Sequence, residues 1–138
     1  MADLVRKIAY FKATAPNRPG EGAKALGALK DEGVNLLAFT GFPRAGRAQL
    51  DFIPEDAAAF KRAAKKAGLR LSAQKTGFLI QGDDRPGAVA DITARLAGAG
   101  VNVIAMDAVA AGGGRYGAIL WVKPADVAKT AKALGAVK

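Results

Sequence analysis

The sequence predicts an α+β protein made of two copies of one unit, and three observations carry that expectation. Laid against itself with Arg18 on Arg85, the stretch "RPGEGAKALGALKDEGVNLLAF" (18–39) matches "RPGAVADITARLAGAGVNVIAM" (85–106) without a gap, sharing Arg-Pro-Gly and Gly-Val-Asn. After a small insertion, "PEDAAAF" from Pro54 matches "PADVAKT" from Pro124. Short β-branched or aromatic runs alternate with longer runs whose apolar residues recur at helical spacing, so each copy mixes strands with helices that bury one face.

The elements follow in order. In the second copy, "TGFLIQG" reads as a strand, and Val89, Ile92, Leu96 and Ala99 then form one apolar helical stripe that faces a sheet. Gly100 ends that helix where a left-handed residue is wanted. "VNVIAMDAV", the turn "AAGGG" and "RYGAILWV" make a strand hairpin, and Pro124 with Asp126 opens a helix lined by Val127, Ala131 and Leu134. The first copy repeats this with a strand from Val34 to Thr40, a turn over Gly41 to Gly46, a strand from Ala48 to Ile53 and a helix from about Glu55 to Ala67. Its "LRLSAQK" (69–75) adds a fourth strand. The order βαββαβ, with helices on one face of an antiparallel sheet, is the ferredoxin-like arrangement. The units are expected at 1–75 and 76–138.

Composition narrows the function. The chain has 138 residues with neither cysteine nor histidine, which removes disulfides, thiolate metal sites and the commonest acid–base group. No catalytic constellation, metal site or cofactor site is expected; the chain is read as a binding protein and not an enzyme. The start, "MADLVRKIAYFKA", breaks its apolar residues with charges and is neither a signal peptide nor a membrane span, so a cytoplasmic setting fits. The formal charge is +9, with the densest basic cluster at Lys61, Arg62, Lys65 and Lys66. That cluster reads either as the cationic last turns of a surface helix or as a phosphate-binding patch.

The stretch "GDDRPGAVAD" carries the sharpest chemistry. Proline fits just inside a helix start because its missing N–H has no acceptor there, and Gly87 permits close backbone approach. The free first-turn N–H groups favour an anion, while the Asp84 carboxylate attracts an amine, so the two describe an amino-acid zwitterion. The plainer alternative is that Asp83 or Asp84 caps the helix and Gly87 only makes a turn. Asn35 and Asn102, each after a helix-ending glycine, either reach a ligand or satisfy local backbone groups.

With Asp84-Arg85-Pro86-Gly87, the apolar helix and Ala99-Gly100-Val101-Asn102-Val103, the second copy resembles an ACT domain. The first copy resembles it more weakly through Asn17-Arg18-Pro19-Gly20 and Gly33-Val34-Asn35. The resemblance covers nearly the whole chain as a tandem pair with no catalytic domain attached. It implies a regulatory protein that binds a free amino acid at the interface of two units, controls a partner enzyme or regulator, and forms a homodimer. Carried onto this chain, the ligand-binding positions are Asp84, Arg85, Pro86, Gly87 and Asn102, with Asn17, Gly20 and Asn35 in the first copy. Asn17 stands where the family pattern has Asp; an amide brings no charge to an ammonium, so the Asp84 site is expected to be the stronger. Two other readings stay open: a basic ferredoxin-like module that binds nucleic acid, for which Tyr10, Phe11 and Phe78 are sparse stacking groups, or a protein-interaction module without a ligand.

The repeat also runs out at the end of the chain, where no counterpart of "LRLSAQK" remains. The same alignment sets Leu4 on Leu71 and Phe11 on Phe78, so a fourth strand runs straight into a first strand. A circularly permuted pair is therefore expected, in which residues about 3–8, with a buried Leu4, complete the sheet of the second unit. The alternative is a frayed N-terminus and a three-stranded second unit.

Overall fold

The computed structural model describes residues 3–137. It is an α+β structure of antiparallel sheet and four α-helices, and its contacts divide it into two compact bodies. The division falls inside the first strand, β1 (Leu4–Pro16): residues up to Ile8 belong with those from Thr76 onward, and Ala9–Lys75 form the other body.

The body containing the chain's second half holds β4 (Lys75–Asp83), α3 (Ala88–Gly98), β5 (Val103–Gly112), β6 (Arg115–Val122) and α4 (Val127–Leu134), which follows a 3-10 turn at Pro124–Asp126. Its strand order is β1, β4, β6, β5, with β6 antiparallel to both neighbours. Val5 is buried with Phe78, Ile80, Ile92, Leu96, Leu120 and Leu134 in one core, against which Val127 and Ala131 also pack. The N-terminal part of β1 is held on its outer side by the last described residue: Lys7 N–H donates to Val137 O (3.0 Å) and Val137 N–H to Val5 O (2.8 Å). Leu4 departs from the expectation. It is 48% exposed while Val5 is 2% exposed, because side chains alternate along a strand and the inward parity falls on Val5.

The other body holds the rest of β1, α1 (Glu21–Asp31), β2 (Leu36–Arg44), β3 (Arg47–Pro54) and α2 (Ala57–Lys66). β3 pairs antiparallel with β1 and β2. Phe11, Phe52 and Phe60 stack in its core, with ring centroids 5.1 Å (Phe11–Phe60) and 5.3 Å (Phe52–Phe60) apart. The expected fourth strand at 69–75 is not a regular strand. Ser72 N–H donates to Lys12 O (2.8 Å), but Ser72 Oγ takes the Lys12 N–H (3.0 Å) that a ladder would give to a carbonyl, so pairing does not propagate.

Candidate functional site

β4 delivers the chain into the Asp84–Gly87 loop at the level where Asp83 pairs with Arg115 and Gly82 with Tyr116. The loop is pinned by Asp84 N–H donating to Gly114 O (2.9 Å) and by Arg115 Nη1 on Asp83 Oδ1 (2.8 Å). Gly87 is the residue before α3 and has φ +82°, a left-handed conformation that explains glycine there. No side chain caps α3, so the reading of Asp83 or Asp84 as its cap does not hold. Ala88 N–H turns back to Arg85 O (3.3 Å), which leaves Val89 and Ala90 as the first-turn residues without an intrahelical acceptor.

In front of that helix end lies an open groove of about 370 Å³, within the usual range of small-molecule sites. It is lined by the loop (Asp84, Arg85, Gly87), by the first turn of α3 (Ala88–Ala90), by Ala108–Ala110 of β5 and by Tyr116. Val109, 67% exposed, is an apolar side chain at its edge. The Asp84 residue is exposed, and among the described residues its carboxylate engages no side chain. The groove thus sets a free carboxylate and a helix N-terminus beside small apolar walls.

Arg85 plays a part that the sequence did not disclose. Its guanidinium donates to both carboxylate oxygens of Asp3 (3.2 and 3.4 Å), to Asp91 Oδ2 (3.3 Å) and to Asp83 O (3.0 Å). The Asp3 side chain is 1% exposed. Its bond to Arg85 holds the guanidinium above its ordinary pKa, and burial, followed by the neighbouring Asp3, pushes the Tyr116 phenol up. The space for Asp3 comes from Gly82, since a Cβ there would overlap Asp3 Oδ1. No local signal marks this pair, because Asp3 and Arg85 lie 82 residues apart.

The remaining candidates do not gather on this groove. Asn102 is exposed just before β5, at the end paired with Val122, whereas the groove touches β5 six to eight residues further on, roughly 20 Å along the strand. Asn35 is likewise just before β2, where its Nδ2 donates to Glu55 Oε2 (3.2 Å), a side-chain partner 20 residues on and not a local backbone group. Asn17 is exposed and Gly20, φ +89°, precedes α1 as Gly87 precedes α3. Pro86 is exposed in the loop. Tyr10, Phe11 and Phe78 are all buried, so none offers a ring to a nucleic-acid base. No metal-binding cluster of His, Cys, Asp and Glu occurs among the described residues, and no helix among them is long and apolar enough to cross a membrane.

No protein-family model matches the sequence, and no curated protein matches it. Solved structures do. A protein from Bacteroides thetaiotaomicron superposes with a TM-score of 0.79 at 21% identity, over 96% of this chain and 88% of that one. The ligand-free regulatory subunit of aspartate kinase from Thermus thermophilus gives 0.68 at 18% identity (98% and 95%), and the corresponding subunit from Thermus flavus 0.60 at 16% (98% and 95%). At these identities the likeness establishes the fold, and the chain has the ACT-like fold of aspartate kinase regulatory subunits.

Proposed function

We propose that the protein is an amino-acid-sensing regulatory protein whose ligand site is the groove at the start of α3. The observation that carries this reading is the uncapped helix end at Gly87 beside the free carboxylate of Asp84. A bound amino acid places its carboxylate on the N–H groups of Val89 and Ala90, where the helix dipole favours negative charge, and its ammonium toward Asp84. The side chain then lies along Ala108–Ala110. Arg85 is a positioning residue, since its charge is committed to Asp3 and Asp91. Gly87 and Pro86 shape the loop. Asn102 serves only a ligand held at another unit's loop, in keeping with a homodimer.

The Asn17–Gly20 loop is the weaker site, lacking a carboxylate at position 17, and Asn35, like Asn102, serves only a ligand held at another unit's loop. The chain acts on a partner enzyme or regulator and carries out no chemistry itself. The likeness to aspartate kinase regulatory subunits supports this reading. Thermal-shift screening of the twenty amino acids tests it: at least one should raise the melting temperature, and Asp84→Asn should abolish that rise without lowering the ligand-free melting temperature. Equal responses in both proteins would remove Asp84 from the site.

A further inference from the structure

The two bodies share one framework, which makes each an internal control for the other. Phe11 pairs with Phe52 as Phe78 pairs with Leu120, so the next pair along, Lys12 with Asp51, corresponds to Leu79 with Ile119. The fold accepts an apolar pair at these positions. In the Ala9–Lys75 body they instead carry charge, and more cations gather around them: Lys75 and Arg44 act on Lys12, and Arg70 joins Lys12 in lining one groove.

That groove measures about 300 Å³ and is also lined by Thr14, Gln49 and Ser72. Asp51 is the carboxylate opposite Lys12, and it is shared, since Gln49 Nε2 donates to its oxygens at 3.1 and 3.4 Å. Arg44 Nη1 donates to Gln49 Oε1 (3.4 Å). Around Lys12, the cations Lys75 and Arg44, with Arg70 on the same groove, therefore outnumber the Asp51 carboxylate opposite it. Burial first, and then the adjacent Lys75, hold the Lys12 ammonium below its ordinary pKa, so the cluster is under electrostatic tension. Unit charges of like sign about 4 Å apart repel by roughly 1 kcal/mol in water and more where solvent is partly excluded. A framework that tolerates Leu and Ile does not need this tension for folding.

We propose that the groove lined by Lys12, Arg70 and Thr14 binds a small phosphate-bearing anion, distinct from the amino-acid site at Gly87. A phosphoryl group takes charge-assisted hydrogen bonds from the lysine and arginine and relieves their repulsion. The Thr14 hydroxyl adds a neutral donor. The phosphoryl group is supplied either by free phosphate or pyrophosphate or by a nucleotide.

Titration of the full chain with inorganic phosphate, pyrophosphate and ADP, followed by amide NMR at constant ionic strength, tests the site. Saturable shifts are expected at Lys12–Thr14 and Arg70–Ser72 with pyrophosphate. Binding tenfold tighter for ADP would name a nucleotide as the source, and equal binding would name the inorganic anion. Lys12→Gln and Arg70→Gln should each weaken binding about tenfold, while Lys61→Gln with Lys65→Gln on the exposed face of α2 should leave it unchanged. Lys12→Met should also melt no lower than the parent protein, showing that lost binding is not lost folding. Non-saturating shifts spread over Lys61, Lys65 and Lys129, or no shifts with any of the three anions, would overturn the proposal, as would binding only to an oligonucleotide.

Discussion

Val5→Ala removes two carbons from a side chain 2% exposed in the core around Phe78, Ile80 and Leu120. At about 0.8 kcal/mol per buried methylene the transfer loss is about 1.6 kcal/mol, and an unrelaxed cavity brings the total to about 2 kcal/mol. For a chain of this size roughly 4 °C is lost per kcal/mol, so the melting temperature should fall by about 8 °C. Leu4→Ala is the control. It deletes more carbon one residue away, but from a side chain 48% exposed, and should cost under about 1 kcal/mol. Differential scanning calorimetry of the pair decides the matter. If Leu4→Ala were the more damaging change, or if Val5→Ala melted like the parent, residues 4–8 would not complete the sheet of the body formed by the second half of the chain.

Further expectations concern other parts of the structure. Gly82→Ala should displace Asp3 from Arg85, lowering both the melting temperature and amino-acid affinity, whereas Ala15→Gly at the corresponding strand position should leave affinity unchanged. The chain has two tyrosines, and burial raises the pKa of both, Tyr10 with help from Asp51 and Tyr116 with help from Asp3. Phenolate absorbance should therefore appear above pH 10. Since the folded pKa values exceed the unfolded value of 10.0, this part of the stability is complete below pH 10 and lost as pH rises through the folded values; a melting temperature constant from pH 9 to 11.5 would contradict it. Thr130 is fully buried and its hydroxyl has no hydrogen-bond partner among the described residues, so Thr130→Val should raise stability by roughly 1 kcal/mol in urea unfolding.

Much of the fold was legible because the chain states its unit twice. The Arg-Pro-Gly loops, the helix stripes at Ile92 and Leu96 and at Ala131 and Leu134, and the continuity from Leu4 into Phe11 are local or repeated patterns, and local patterns survive in sequence. What stayed hidden was set by packing. Strand parity decided for Val5 over Leu4, and the Ser72 hydroxyl interrupted the ladder expected over 69–75. The loop at Gly87 was visible, but the side chains that hold it, Asp3 on Arg85 and Arg115 on Asp83, come from distant parts of the sequence. The Lys12 cluster was equally obscure, since its members are scattered from Lys12 to Lys75 and meet only on the folded sheet.

The central claim is that a free amino acid occupies the groove at the start of α3, and amide NMR during titration with the amino acid that most raises the melting temperature tests it most directly. A ligand of ten or so heavy atoms should bind between about micromolar and millimolar, with the largest shifts at Gly87–Ala90 and Ala108–Ala110 and smaller ones at Asn17–Glu21. Saturable shifts confined to other residues, or none with any of the twenty amino acids in a folded sample, would contradict the account.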